Sequence, residues 1–277
     1  MTISTLDALF NAMANNSSRF VVNKTSIANQ TAGQLASMWR AAGQPAQAAI
    51  PGTTPEVPTE ATLGAIDFAS QTSPATSYLP WIVLNSGNTG GGFEIHDRVA
   101  HMGGLVLNVT TAQNITGLDL NTIGLPAERR GAADFSDLQW FLEVYTDGGA
   151  TASNATIAVT YDDATTGNLN VVAVGGSLRA GRFIPLIPFI PTAKQGRKIG
   201  AINSVTLSAS TGTAGNFGFT CTRQRTAKAF GLANNPVTLT WQDGAPEIQN
   251  DSCLMIAILC ATTSTGAVAG QGKISHG

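Results

Sequence analysis

The sequence predicts a mainly β protein, a jelly-roll-like β-sandwich preceded by a short helical N-terminal arm and a proline-rich linker. Three observations carry that expectation. Roughly ten short apolar stretches, most of them alternating apolar and polar residues, follow one another beyond residue 63 with almost no helical pattern between them. Clusters of Gly, Asn, Asp and Ser separate them, as turns require. Finally, 12% of the 277 residues are charged while 43% are hydrophobic. An average soluble domain carries about 25% charged residues, so much of this surface is neutral or is covered by other subunits.

The arm spans residues 1–44. Ile3, Leu6, Leu9, Phe10 and Met13 fall on one helical face with Ser4 as a cap, which predicts a first helix near residues 4–15. Residues 27–43 place Leu35, Met38, Trp39 and Ala42 at i, i+3, i+4 and i+7 and stop at Gly43 before Pro45, which predicts a second helix. Isolated helices of this length are marginal in water. Their apolar faces therefore need a partner, either the chain's own β domain or another subunit, and Leu35, Met38 and Trp39 are candidate assembly contacts. Residues 45–62 hold Pro45, Pro51, Pro55 and Pro58, a composition that reads as an extended spacer and a domain boundary.

The β domain is expected over residues 63–277. Its strands are expected near residues 79–84, 93–99, 105–110, 139–145, 155–161, 169–174, 199–208, 218–226, 236–241 and 254–261. Residues 140–145 and 156–161 read as two strands joined by a Gly-rich connection. Such a series of short strands fits a sandwich. Within it, Phe183 to Pro191 combines three prolines with six large apolar side chains. Prolines exclude a central strand, so Phe183, Ile187 and Phe189 either pass under a sandwich edge or form an inter-subunit contact.

The chemistry-bearing residues point away from catalysis. His96 and His101 are five apart, a spacing that suits neither a strand face nor a helical metal site, and polar contacts near Met102-Gly103-Gly104 are their expected role. Asp147, Asp162 and Asp163 read as turn residues. Gly90-Gly91-Gly92 and Gly175-Gly176 form neither a P-loop nor a dinucleotide fingerprint and read as turns. No G-x-S-x-G occurs, and Glu94, Glu128, Glu143 and Glu247 are scattered. The expectation is a non-enzyme without metal or cofactor. Cys221, Cys253 and Cys260 read as buried thiols.

Charge and hydropathy set the partners. A formal net charge of −2 removes the broad attraction to phosphate that dominates nucleic-acid binding, and no apolar run reaches membrane-spanning length. Neither nucleic acid nor membrane is an expected partner, whereas low net charge favours self-association. Arg223 and Arg225 share a strand face within a basic cluster that includes Lys228, and can meet acidic groups across a subunit contact.

The neutral composition, the arm, the spacer and the β domain come together with two stretches, Ala133-Asp134-Phe135-Ser136-Asp137-Leu138-Gln139-Trp140-Phe141-Leu142-Glu143-Val144-Tyr145-Thr146-Asp147-Gly148-Gly149 and Val174-Gly175-Gly176-Ser177-Leu178-Arg179-Ala180-Gly181-Arg182-Phe183. In these features the chain resembles the virion structural proteins of tailed bacteriophages. The resemblance implies a location in the virion and many symmetry-related copies. The first twenty residues, which lack the basic start and apolar run of a signal peptide, lead to an expectation of synthesis in the host cytoplasm. The expected role is a capsid decoration or cement protein, a homo-oligomer and specifically a trimer, in contact with the major capsid protein or other virion subunits. A tail, collar or fibre component is the alternative, as is a glycan-binding jelly roll using Trp81, Trp140, Trp241 or Tyr145.

Overall fold

A computed structural model describes residues 3–73, 75–88, 91–226 and 229–277; Gly90 and Lys228, read above as part of a turn and of a basic cluster, lie outside them. In chain order these residues form helix α1 (Leu6–Asn15), then β1 (Ser17–Lys24), β2 (Leu35–Ser37), β3 (Gly43–Gln44), β4 (Ser77–Ser86) and β5 (Gly92–Val106). Next come β6 (Gln113–Asn114), a one-turn helix α2 (Ala127–Arg130), β7 (Leu138–Val144), β8 (Asn154–Tyr161), β9 (Thr166–Asn168), β10 (Val172–Ala173) and β11 (Phe183–Pro185). β12 (Ile199–Leu207), β13 (Asn216–Gln224), β14 (Ala229–Phe230), β15 (Val237–Thr240), β16 (Glu247–Ile248), β17 (Leu254–Leu259) and β18 (Val268–His276) follow. The fold is mainly β, as the alternation pattern predicts. No described helix is long and apolar enough to cross a membrane.

The expected division into arm, linker and one β domain is replaced by two compact units. Unit 1 comprises Met1–Ala49, Pro58–Asp97 and Gln224–Gly277, and unit 2 comprises Ile50–Val57 and Arg98–Arg223. The boundary at Asp97 falls inside β5, so the single strand expected at 93–99 continues without a break to Val106. The 45–62 segment is correspondingly no free spacer, since Ile50–Val57 belongs to unit 2 and Pro58 opens a new stretch of unit 1.

Unit 1 is a sandwich. One sheet runs β15-β4-β18-β1-β3, with β16 on β4, and the other contains β2, β17 and the first half of β5. Period-two alternation sends Phe20 and Val22 of β1, Ile82 and Leu84 of β4, and Val268 and Ile274 of β18 into a core shared with Phe93, Ile95, Leu254, Ile256 and Ile258. β1 and β18 are antiparallel over Ser17–Lys24 and Val268–Ser275, which ties the two ends of the described chain into one sheet. α1 forms where the apolar spacing places it, but Thr5 rather than Ser4 is its cap, accepting the Ala8 N–H at 3.1 Å. Its Leu9 and Ala12 pack with Ile3 against Tyr78, Trp241 and Ala245.

The helix expected over 27–43 does not form. Asn29 and Gly33 take positive φ of 57° and 79°, which no right-handed helix can contain. Leu35–Ser37 instead pairs antiparallel with Ala257–Leu259 of β17, and Met38 N–H donates to the Ile256 carbonyl at 3.0 Å. The i, i+3, i+4 spacing was satisfied by a strand and the turn that follows it, because sheet pairing and burial outweigh the few tenths of a kcal/mol per residue that helix propensity supplies.

Unit 2 is a second sandwich. One sheet contains β11, β7, β13 and the second half of β5, and the other runs β10-β8-β12-β6 with β9 on β8. Leu138, Trp140, Leu142 and Val144 of β7 and Phe217, Phe219 and Cys221 of β13 face Ile157 and Val159 of β8 and Ile202, Val205 and Leu207 of β12 in one core. β7 and β8 are consecutive strands but not a hairpin pair: β7 pairs with β13 and β11, while β8 pairs with β12, β9 and β10. Their Gly-rich connection therefore crosses from one sheet to the other.

Candidate functional site

The opposite face of β7 carries a connected group of ionisable side chains. In the β7–β13 register Gly218 lies opposite Glu143 and Thr220 opposite Phe141, so Glu143 and Thr220 share the face turned away from the sandwich core. Glu143 is 1% exposed and forms an ion pair with Arg98, itself fully buried, at 2.7 Å. Thr220 Oγ1 donates to the same carboxylate at 2.6 Å and the Tyr145 hydroxyl at 3.2 Å. Arg98 uses its other hydrogens outward along the chain of contacts, to the Tyr145 hydroxyl at 3.0 Å and, through Nε, to His101 Nδ1 at 2.6 Å. Arg129 of α2 closes the inner end by donating to the Arg98 carbonyl at 3.0 Å.

The outer end is Glu56, whose carboxylate is 58% exposed and meets His101 Nε2 at 2.6 Å. Arg98 Nε–H can only donate, so His101 Nδ1 must accept and the proton sits on Nε2, directed at Glu56. Burial, then the neighbouring Arg98 charge, pushes the His101 imidazole down to about 4. The hydrogen bond from His101 holds the Glu56 carboxyl below the usual carboxylate range, while burial and the Glu143 charge raise the Tyr145 phenol. His101 is thus neutral at pH 7 in the folded chain and readily protonated once unfolded.

Between pH 6.5 and about 4 the unfolded chain binds the His101 proton and the folded chain does not. The contribution of His101 to stability is complete above pH 6.5 and is lost as the pH drops through that window. The shift corresponds to a loss on the order of 3 kcal/mol. Urea unfolding at pH 7 and pH 4.5 is expected to show this loss in the parent chain and a much smaller one in His101→Gln; equal losses in both would remove His101 as its source.

Unit 1 holds smaller polar groups. His96 and Glu94, two apart on β5, pair at 2.9 Å, and Asp97 accepts from Ser252 Oγ and Cys253 N–H at 3.1 and 2.8 Å. His276 lies between Ser18 Oγ at 2.8 Å and Ser77 Oγ at 3.0 Å. This is a cross-strand ladder along three neighbouring strands. Lys24 is buried with Nζ donating to the Ala41 and Ala46 carbonyls at 3.0 and 3.3 Å, and burial lowers it to about 8. The three cysteines are buried thiols, as expected.

The residues proposed from sequence as assembly contacts are redistributed. Met38 and Trp39 are 1% and 2% exposed and belong to the interior of unit 1, where Trp39 lies against Gly64 so closely that a Cβ there would meet the indole at 3.1 Å. Phe183 is fully buried and stacks on Phe141 at 3.8 Å between ring centroids. These three are core residues and cannot serve as contacts, because their surfaces are already covered within the chain. Leu35 is half-buried. Phe189 packs on the unit 2 core and is partly buried, whereas Ile187 stays 48% exposed. Phe183–Pro185 forms the edge strand beside β7, where Pro185 can be tolerated, and Pro188 lies in the first, and Pro191 at the N-cap of the second, of the short 3-10 turns that follow.

Arg223 and Arg225 are both half-buried. Arg223 donates to the Glu128 carbonyl at 2.8 Å and pairs with Asp137 at 3.3 Å, and Arg225 lines a groove of about 270 Å³ with Leu79, Leu239 and Asp243. Asp147 pairs with Arg179 at 3.0 Å, and Asp163 with Arg197 at 3.0 Å. Of the aromatics considered for sugar stacking, Trp140 and Tyr145 are each 2% exposed, so neither offers a face to a ligand.

The large apolar side chains that do face solvent were mostly missed. Among the described residues they are Leu6, Phe10, Val21, Leu63, Phe230 and Leu232 in unit 1, and Val171 and Ile187 in unit 2, between 41% and 64% exposed. Val21 and Leu63 line one groove of about 520 Å³ together with Arg19, Gln44, Glu60 and Asp67. Val21 was readable in principle, since it falls between Phe20 and Val22 in an alternating run and must point outward.

No family model matches the chain, and no curated protein sequence matches it. Among solved structures, it is similar to the infectious bursal disease virus Gt strain structure, at 11% identity over 94% of this chain and 80% of that one, with a TM-score of 0.18. It is also similar to the VP2 subviral particle of the same virus, at 12% identity over the same shares, with a TM-score of 0.16. At such identities and scores the likeness carries no functional conclusion.

Proposed function

We propose that this chain is a structural subunit of a virus particle and not an enzyme, specifically a head decoration or cement protein of a tailed bacteriophage that self-associates, as a trimer, on the major capsid protein or other virion subunits. The observation that carries the reading is the pairing of a 12% charged composition with large apolar side chains left at 41% to 64% exposure on a fully formed β fold. Covering their remaining exposed area against a partner stabilises by about 1–2 kcal/mol per side chain, and a nearly neutral surface offers little repulsion to copies of itself. The N-terminal segment cannot act as the free arm expected from sequence, because β1 lies inside a sheet. The contacts are instead assigned to Leu6 and Phe10 on α1, to Val21 with Leu63, and to Ile187.

Light scattering at 0.1 M and 1 M NaCl is the test, joined to electron microscopy of particles carrying the labelled chain. An oligomer whose mass is unchanged by salt, and is reduced in Val21→Ser/Leu63→Ser, is the expected result, since apolar contacts are not screened as ion pairs are. A monomer at both salt concentrations, or an oligomer that dissociates at 1 M, would overturn the reading. Density at the head surface supports decoration; density on the tail or collar overturns that assignment and leaves the broader structural role.

A further inference from the structure

The geometry points to an acid-sensitive latch in unit 2, in which protonation of His101 releases the Ile50–Val57 segment from the edge of β5. Three backbone hydrogen bonds hold that segment: Gly103 N–H to the Gly52 carbonyl at 2.8 Å, Glu56 N–H to the His101 carbonyl at 3.0 Å, and His101 N–H to the Glu56 carbonyl at 3.0 Å. Two of the three involve His101 itself. A side-chain contact joins the same pair of residues, His101 Nε2 to Glu56 Oε1. The imidazole is thus the point at which the segment is pinned both by main chain and by side chain.

The pin works only while the ring is neutral. His101 Nδ1 accepts from Arg98 Nε–H at 2.6 Å, and a proton on Nδ1 would set two N–H donors and two positive charges face to face. The charged and titratable groups that act on the ring come from three elements. Arg98, on the same strand, opposes the proton; Glu56 on the segment and Glu143 on β7 favour it, and the Tyr145 phenol stays neutral. Arg129 of α2 adds a further cation beside the Arg98 carbonyl. Arg98 is already engaged by Glu143 at 2.7 Å, so the ring has to leave rather than the arginine. With the ring goes Glu56, and the amide and carbonyl of His101 and the amide of Gly103 become an open sheet edge. Such an edge can pair with another strand, so acid would convert a closed edge into a binding one.

Hydrogen exchange on the full chain tests this. Protection at the amides of Glu56, His101 and Gly103, corrected for intrinsic exchange, is expected to fall about tenfold or more from pH 7.5 to pH 5, while Ile157 and Phe219 in the unit 2 core keep theirs. In His101→Gln the fall should vanish; in Glu56→Gln, which leaves the ring and its Arg98 bond in place, it should persist. A fall that survives in His101→Gln, no fall in the parent, or a fall shared equally by the core amides would each overturn the latch. Nitrogen-15 spectra of the imidazole give a check that needs no variant. A neutral ring protonated on Nε2 at pH 7 is required, and protonation on Nδ1 or an imidazolium at that pH would be fatal to it.

Discussion

Glu143→Ala is expected to destabilise the chain by about 3–5 kcal/mol, among the largest effects of any single substitution outside the apolar cores. The ion pair it breaks is at 2.7 Å with both side chains at 1% exposure or less. Alanine leaves the Arg98 guanidinium buried without its counter-charge, and it removes the acceptor that Thr220 and Tyr145 share. The cost is therefore mainly that of stranding a charge, not the worth of the attraction, since burying both ions is itself expensive. Arg98→Met combined with Glu143→Met separates the two contributions: the double variant is expected to lose far less than the sum of the single ones. Urea unfolding of the four chains measures this as a double-mutant cycle. A Glu143→Ala loss below about 1 kcal/mol, the range of exposed pairs, would show that the pair is not held dry.

Trp39→Ala is expected to cost about 3–5 kcal/mol by cavity formation and lost transfer free energy. The indole is 2% exposed, and Met38 and Ala41 beside it in sequence are members of the unit 1 core. The environment can relax little, because Gly64 packs so tightly that a Cβ there would meet both the indole and the Ala48 methyl. Leu63→Ser, by contrast, changes a side chain that is 57% exposed and is expected to leave the urea midpoint nearly unchanged while weakening self-association. The two measurements distinguish core from contact. If Trp39→Ala left stability intact and reduced oligomer mass, the indole would be an assembly contact after all, and its packing within unit 1 would be wrong.

The residues around Trp39 show why sequence reading misplaced them. Leu35, Met38 and Trp39 are spaced for a helix, and a spacing rule cannot see that β17 supplies a strand edge for Leu35–Ser37. The same blindness hid the ionic chain. Glu56, Arg98, His101, Glu143 and Thr220 are separated by up to 164 positions, and only the β7–β13 register and the return of Ile50–Val57 to β5 bring them within hydrogen-bond reach. Glu143 looked like one of several scattered carboxylates for that reason. β1, in contrast, was legible and passed over: Phe20, Val22 and Lys24 alternate as buried positions, and the pattern SSRFVVNK carries that period.

Local chemistry therefore determined the class of the fold. Period-two alternation and turn residues act over a few neighbours, so the mainly β character, the positions of β4, β7, β8, β12, β13 and β17, and the first helix could be read directly. The exclusion of Phe183–Pro185 from a central strand also followed, because proline lacks the hydrogen that such a strand needs, but its pairing as an edge strand on β7 did not. What only the tertiary structure decided was partnership: two sandwich units instead of arm, linker and domain, the burial of Trp39 and Phe183, and the proton held on one nitrogen of His101. Pairing between distant strands is chosen by burial summed over the whole chain, and no short window of sequence contains that sum.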